Sequence, residues 1–295
     1  MRQVFGNRKA LAVFLVPALV VYVGVIVVPV GWSFVYSLFK GSPASGFSFT
    51  GLNNFRQLLD DPTVRQTLWV TVKYGLVMTV GQIVIGYLLA LLYLFVLRRS
   101  STFIRTLVFF PVVLPTVAVS LLFAQLFAIS PQLGPVDSLL HSAAGMQPLD
   151  WFATGSHAFV VIVIMDLWRS VGLFAVVIYV GLIDIPGEIL ESARIDGAHG
   201  FGLVRRIVVP MSRPILMASM IFALNADLKV FDSILALNNG GPGTATTPLN
   251  LYMYQTSFLY NNWGYGAAIA LLITALCLSV TLLVFFSLRR DLTKG

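Results

Sequence analysis

The sequence predicts an all-α integral membrane protein: six transmembrane helices, with a charged helix-turn-helix on the cytoplasmic side between the fourth and the fifth. Three observations carry that reading. The 295 residues are 58% hydrophobic and 11% charged, roughly half the charged fraction of a soluble domain, and the mean hydropathy is +0.88. Six apolar stretches reach the ~20 residues that a helix needs to cross the hydrocarbon core. The basic residues flank those stretches instead of gathering on one soluble face, which speaks against a nucleic-acid partner despite the net charge of +7.

The first stretch, 11–38, follows a basic start (Arg2, Arg8 and Lys9), as in a signal peptide. It runs too long and lacks a small-residue cleavage site, so it is expected to stay as the first span. The second covers 68–97. The third, 103–127, opens with Pro111 and Pro115 and is expected to be kinked, which membrane helices tolerate when neighbours satisfy the freed carbonyls. The fourth, fifth and sixth cover 157–183, 215–237 and 265–288, with the charged loop at 184–213. No internal repeat divides the chain, so residues 1–295 are expected to form one membrane domain.

Orientation follows from Lys and Arg. Thirteen of them (Arg2, Arg8, Lys9, Arg98, Arg99, Arg105, Arg194, Arg205, Arg206, Arg213, Arg289, Arg290 and Lys294) lie at the termini and in the second and fourth loops. The alternate loops hold three: Lys40, Arg56 and Arg65. Both termini and the 184–213 segment are therefore expected in the cytoplasm of a multi-pass cytoplasmic-membrane protein. Trp151 and Trp263 sit where an outer aromatic belt would lie.

Within the charged segment, Pro186 suits the first turn of a helix, with Asp184 near its cap. Glu188, Glu191 and Arg194 recur at spacing three and are expected along one face, and Asp196-Gly197 signals a helix stop. A second short helix over 201–209 is expected to end before Pro210. Such an element can dock another protein or merely link two spans, and the pattern alone leaves both open.

Resemblance narrows the choice. Glu191-Ser192-Ala193, three residues, Gly197, nine residues and Ile207-Val208-Val209-Pro210 resemble the cytoplasmic loop of permease subunits of binding-protein-dependent ABC importers. That loop reads Glu-Ala-Ala, then Gly, then Ile-x-Leu-Pro at the same spacing; Ser192 and Val209 are the departures. "FTGLNNFRQLLDDP" (49–62), "FFPVVLP" (109–115) and "FDSILALNNGGP" (231–242) resemble stretches of the carbohydrate-type, maltose/glycerol-phosphate-type permeases, although many of those read Thr where Asn238 stands. The resemblance implies a non-catalytic subunit that carries a sugar or oligosaccharide inward by alternating access. Its implied partners are a second related permease, a cytoplasmic ATPase dimer and an extracytoplasmic solute-binding protein, with ATP and Mg held by the ATPase and no cofactor in this chain. It also implies that Glu188, Glu191, Ser192, Ala193, Arg194, Asp196, Gly197, Ala198, Ile207 and Pro210 form the ATPase-coupling loop.

Ionisable groups within spans are costly, about 2.5–3.5 kcal/mol each on insertion scales, so they should face a cavity or a partner. Lys73 can snorkel outward. Asp166 lies near mid-membrane, and Asp166, Arg169, Ser170 and Leu173 recur at i, i+3, i+4 and i+7, hence on one helical face. Asp227 reaches a similar depth and shares a face with Phe231; a carboxylate beside an aromatic ring suits a polyol. Lys229, about 200° away from Asp227 on a helix, is expected to pair with Asp232. Interhelical pairing explains these charges as well as a substrate does. The resemblance favours a substrate path at Asp166, Arg169, Ser170, Leu173, Asp227 and Phe231.

Other classes fare worse. No GxxxxGK[S/T] phosphate loop is present. Cys277 is the single cysteine, and His141, His157 and His199 form no zinc motif, so no metal site is expected. An intramembrane enzyme would need a nucleophile–base pair that is not apparent, and a proton-coupled carrier would not need the 191–210 motif. A glycerol-phosphate ester or a polyamine is the nearest alternative cargo.

Overall fold

A computed structural model describes residues 8–97 and 101–292, with side chains over 12–97 and 102–286. Of the basic residues that orient the chain, Arg2, Arg98, Arg99 and Lys294 lie outside the described residues. The described chain is mainly helical. Its elements begin with α1 (Ala12–Ser37), the hairpin β1 (Phe39–Ser42) and β2 (Gly46–Phe49), α2 (Asn53–Asp60) and α3 (Pro62–Val96). Then come α4 (Thr102–Val113), α5 (Thr116–Leu126), α6 (Pro135–Ala144), α7 (Gly155–Ile183) and α8 (Gly187–Ile195). The chain continues through α9 (Gly200–Asp227), α10 (Asp232–Asn238), α11 (Leu249–Tyr254) and α12 (Trp263–Phe286). Among the described residues five helices (α1, α3, α7, α9 and α12) are long and apolar enough to cross a membrane, and six spans result if α4 and α5 form one broken span.

Two compact units form. One combines the described residues up to Val64 with Tyr252–Ala275. In it β1 and β2 pair antiparallel, Phe39 opposite Phe49. Asn54, buried, donates from Nδ2 to the carbonyls of Ser37 and Phe39, each at 2.8 Å, tying α2 to the end of α1. Asp61, just before α3, accepts from Tyr252 at 2.8 Å, from Tyr265 at 2.7 Å and from the Thr63 N–H at 2.8 Å. Burial pushes this carboxyl up, but these hydrogen bonds outweigh it and hold the group below its ordinary range.

The other unit combines Arg65–Leu251 with the described residues from Leu276 onwards. Its core joins Ala90 of α3, Phe174, Ile178 and Leu182 of α7, and Val208 and Ala223 of α9. Backbones approach closely where side chains are missing: a Cβ on Gly86 would stand 3.1 Å from the Ala175 nitrogen, and one on Gly172 would overlap the Val108 carbonyl. Lys73 does not simply snorkel; its Nζ stands 4.1 Å from the Phe159 ring centroid. Trp151 turns into its own loop, donating from Nε1 to the buried Asp137 at 3.0 Å.

Four expectations are corrected. The third stretch is broken, not kinked: α4 and α5 meet at 94°, because Pro115 forces Leu114 into an extended conformation (ψ 140°). The fifth stretch is interrupted too, with the helical path lost between Asp227 and Asp232 and Phe231 at φ −152°, ψ −67°. The second short helix does not stop before Pro210; it runs on as α9. A π turn at Val204–Val208 lets the Val209 N–H reach back to the Val204 carbonyl, so the proline's missing donor falls where the ladder is already shifted. The same device, Val23–Val27 followed by Pro29, keeps α1 continuous. Finally, Pro186 is the N-cap of α8 (ψ 128°) and not its first residue, while Asp184 ends α7.

Candidate functional site

The polar residues of α7 meet those of α3 and α9 around a cavity of about 240 Å³. Asp166, 2% exposed, receives the Tyr74 hydroxyl on Oδ2 at 2.6 Å and the Ser233 hydroxyl at 2.9 Å. Asp227 receives Thr79 at 2.9 Å and Gln82 Nε2 at 3.2 Å. Gln82 Nε2 also reaches the Ser170 hydroxyl at 3.0 Å, and Ser170 donates to the Asp166 carbonyl at 2.6 Å. The hydrogen bonds to both carboxylates thus come from neutral donors on neighbouring helices.

The set is incomplete. Arg169 Nε stands 3.7 Å from Asp166 Oδ1, an ion pair too long for a hydrogen bond. Asp166 Oδ1, Arg169 Nε and Gln82 Oε1 are buried without any hydrogen-bond partner. Two acceptors and one donor are left over, on residues that all line the cavity. Buried polar groups are normally satisfied, so such a trio suits a ligand that donates and accepts at once, as a hydroxyl does. Tyr74, Phe174 and Phe222 supply aromatic surface in the same lining.

The structure brings Asp166, Arg169, Ser170, Leu173 and Asp227 to this cavity and leaves Phe231 out of it. Because the helix ends at Asp227, Phe231 is not one turn above that carboxylate; it caps α10. For the same reason the expected 200° separation fails: Asp227, Lys229 and Asp232 all line the cavity, and Lys229 makes no ion pair with Asp232 among the described residues. Irregular backbone at membrane depth is tolerated where it lines a cavity, and Lys229, Val230 and Asp232 do so. Sequence reasoning missed Tyr74, Gln82, Thr79 and Ser233. The spacing of Tyr74, Met78 and Gln82, four residues apart in an apolar span, was the available signal.

The charged segment behaves differently. α8 ends in a Schellman motif: Ala198 N–H reaches the Ala193 carbonyl at 2.8 Å and Gly197 N–H the Arg194 carbonyl at 3.1 Å. Gly197 takes φ +85° with open space around its missing Cβ, so conformation and not crowding demands glycine. Glu188, Ser192 and Asp196, one turn apart, line a second cavity with Ala193, Ala198, Ile207 and Arg206. Glu191 is exposed outside it. Arg194 is on another face of α8, beside His199 in a third cavity. Pro210 follows the π turn.

Residues 82–290 match the family model described as binding-protein-dependent transport system inner membrane component. A multiple sugar-binding transport system permease of Streptococcus mutans is 35% identical over 77% of this chain and 77% of its own. A sulfoquinovosyl glycerol transport system permease of Agrobacterium fabrum is 32% identical over 94% of this chain and 89% of its own. A subunit in the crystal structure of a bacterial ABC transporter for the acidic polysaccharide alginate superimposes with a TM-score of 0.83, covering 95% of each chain at 20% identity, a likeness of fold. The chain belongs to the family of binding-protein-dependent transport system inner membrane components, the membrane-spanning permeases of ABC transporters.

Proposed function

We propose that this permease carries a sugar or oligosaccharide inward across the cytoplasmic membrane of a bacterium or archaeon, by alternating access driven by ATP hydrolysis on a partner ATPase. The observation that carries the reading is the trio of buried atoms without hydrogen bonds in the membrane-level cavity: Asp166 Oδ1, Gln82 Oε1 and Arg169 Nε. A sugar hydroxyl can donate to either acceptor and accept from the guanidinium. Three carboxylates (Asp166, Asp227, Asp232) face two cations (Arg169, Lys229) across the lining. Neither sign dominates, which favours a neutral polyol over a phosphate ester or a polyamine. The named relatives, whose cargoes are sugars by description, support the same class.

In this reading the chain has no catalytic residue and no cofactor of its own. A second related permease, a cytoplasmic ATPase dimer holding ATP and Mg, and an extracytoplasmic binding protein complete the transporter. Both termini and the α8 segment face the cytoplasm. The Glu188–Ser192–Asp196 row, exposed Glu191 and the Gly197 turn take up the ATPase. Gly197→Asp strains a left-handed position by about 1–2 kcal/mol and adds a charge there. The test reads ATPase co-purification and uptake of labelled neutral oligosaccharides by the whole transporter, with glycerol phosphate and a polyamine as competitors. Neutral sugars should be taken up, and Gly197→Asp should abolish uptake and weaken co-purification. Competition by the charged compounds alone would reassign the cargo; normal co-purification and uptake in the variant would reduce the segment to a linker.

A further inference from the structure

The third cavity, about 500 Å³, is not absorbed by that reading. Leu88, Leu91, Leu92, Phe95 and Val96 at the end of α3, with Leu203 of α9, form an apolar floor, and Arg194 and His199 stand at its rim. Leu88 is 60% and Val96 68% exposed, so the floor is open along that apolar side of α3. The last turn of α3 is a π turn, Leu92–Val96, and π turns recur at functional sites. Arg194 makes no ion pair among the described residues. The acidic row of α8 lines a different cavity, so no carboxylate shares this groove. In sequence, Arg98 and Arg99 follow directly, so the groove lies where a span gives way to basic chain.

An apolar trough that opens to hydrocarbon and ends at a cationic rim matches one molecule in a bilayer. We propose that this groove binds an acidic phospholipid, its phosphate against Arg194 and His199 and one acyl chain along Leu88, Leu92, Phe95 and Val96. Basic pockets at the cytoplasmic ends of membrane helices hold acidic head groups in this way. A planar guanidinium can grip two phosphate oxygens at once, and a chain methylene gains by leaving water wherever the trough is not already in lipid. The proposal rests on the proposed orientation only for which leaflet supplies the lipid. The state of the lipid would then reach α8, because Arg194 belongs to that helix.

Native mass spectrometry of the purified transporter, with and without its ATPase, titrated with phosphatidylglycerol or phosphatidylcholine, tests this. Phosphatidylglycerol should be retained preferentially. Arg194→Gln should weaken its retention about fivefold, and Arg194→Lys should restore part of it. Val96→Trp, which fills the trough from a lipid-exposed position, should displace the lipid, while Arg205→Gln, exposed but outside the groove, should change nothing. Equal retention of the two lipids, or equal losses for Arg194→Gln and Arg205→Gln, would overturn the proposal. So would loss of ATPase co-purification by Val96→Trp with lipid retention unchanged, which would make the groove a protein-docking surface. Because lipid is counted without ATPase present, failure here leaves the transport reading standing.

Discussion

Asp61 and Asp166 are both carboxylates gripped by tyrosine hydroxyls, one in each compact unit, yet their partner sets differ. Asp61 has donors on both oxygens: two tyrosines on one and the Thr63 N–H on the other. Asp166 has Tyr74 and Ser233 on one oxygen and no hydrogen bond on the second, only the long ion pair from Arg169, although it is more deeply buried. A closed set pins a loop to a helix and leaves nothing to offer a ligand. An open one, at the cost of an unmet hydrogen bond inside the protein, keeps a position free for something that arrives later. Burial alone does not separate the two roles; counting lone pairs does.

The largest expected effect is on transport. Asp166→Asn should lower sugar uptake about 10- to 100-fold with normal assembly, since hydrogen bonds to charged groups contribute ~1.5–3 kcal/mol. A drop in melting temperature with unchanged uptake would instead put Asp166 in the same class as Asp61. Asp61→Ala should do the opposite: two tyrosine hydroxyls lose their acceptor, costing on the order of 1–3 kcal/mol of stability, while uptake per folded molecule stays normal. Thermal unfolding in detergent beside transport assays separates these outcomes, and an inactive but fully stable Asp61→Ala protein would erase the contrast.

Removing single donors sharpens it. Tyr74→Phe should reduce uptake about fivefold, and Tyr265→Phe should lower stability by ~1 kcal/mol without affecting uptake. The smallest effect is on pH dependence. The Asp61 carboxyl is held below its ordinary 3.8 in the folded protein. Its contribution is therefore complete above the unfolded value and is lost as pH falls through the lower folded one. The melting temperatures of the native protein and Asp61→Asn should draw together as pH falls from about 5 to below 3.8. A constant gap across that range would remove Asp61's ionised form from the explanation.

Much of this was legible in the sequence, for identifiable reasons. Hydropathy finds spans because length and apolarity are what a bilayer demands, and the α7 face from Asp166 to Leu173 followed from helical spacing on an unbroken helix. The same arithmetic failed at Asp227, Lys229 and Phe231 because it assumed that the helix continues, whereas it stops at Asp227. Apolar residues around 228–231 look alike to a hydropathy scale whether wound or unwound. Pro210 misled for the converse reason: a π turn absorbed a residue that ordinarily ends a helix. Gly197 was readable because its left-handed turn is a local property, and the separation of Arg194 from Glu188 was readable too, because residues six apart on a helix stand about 120° from each other.

That uninterrupted α9 has a mechanical corollary. Its 28 residues join Gly200, beside the charged turn, to Asp227 in the polar cavity, a length of about 42 Å. The π turn at Val204–Val208 and Pro214 are the places where it can bend; held straight there, the helix acts as a lever. A tilt of about 5° at the turn sweeps the far end through about 4 Å, and a twist arrives as the same angle at the carboxylate. A displacement smaller than one side chain at the surface is therefore enough to remake or undo the hydrogen bonds that Thr79 and Gln82 give to Asp227.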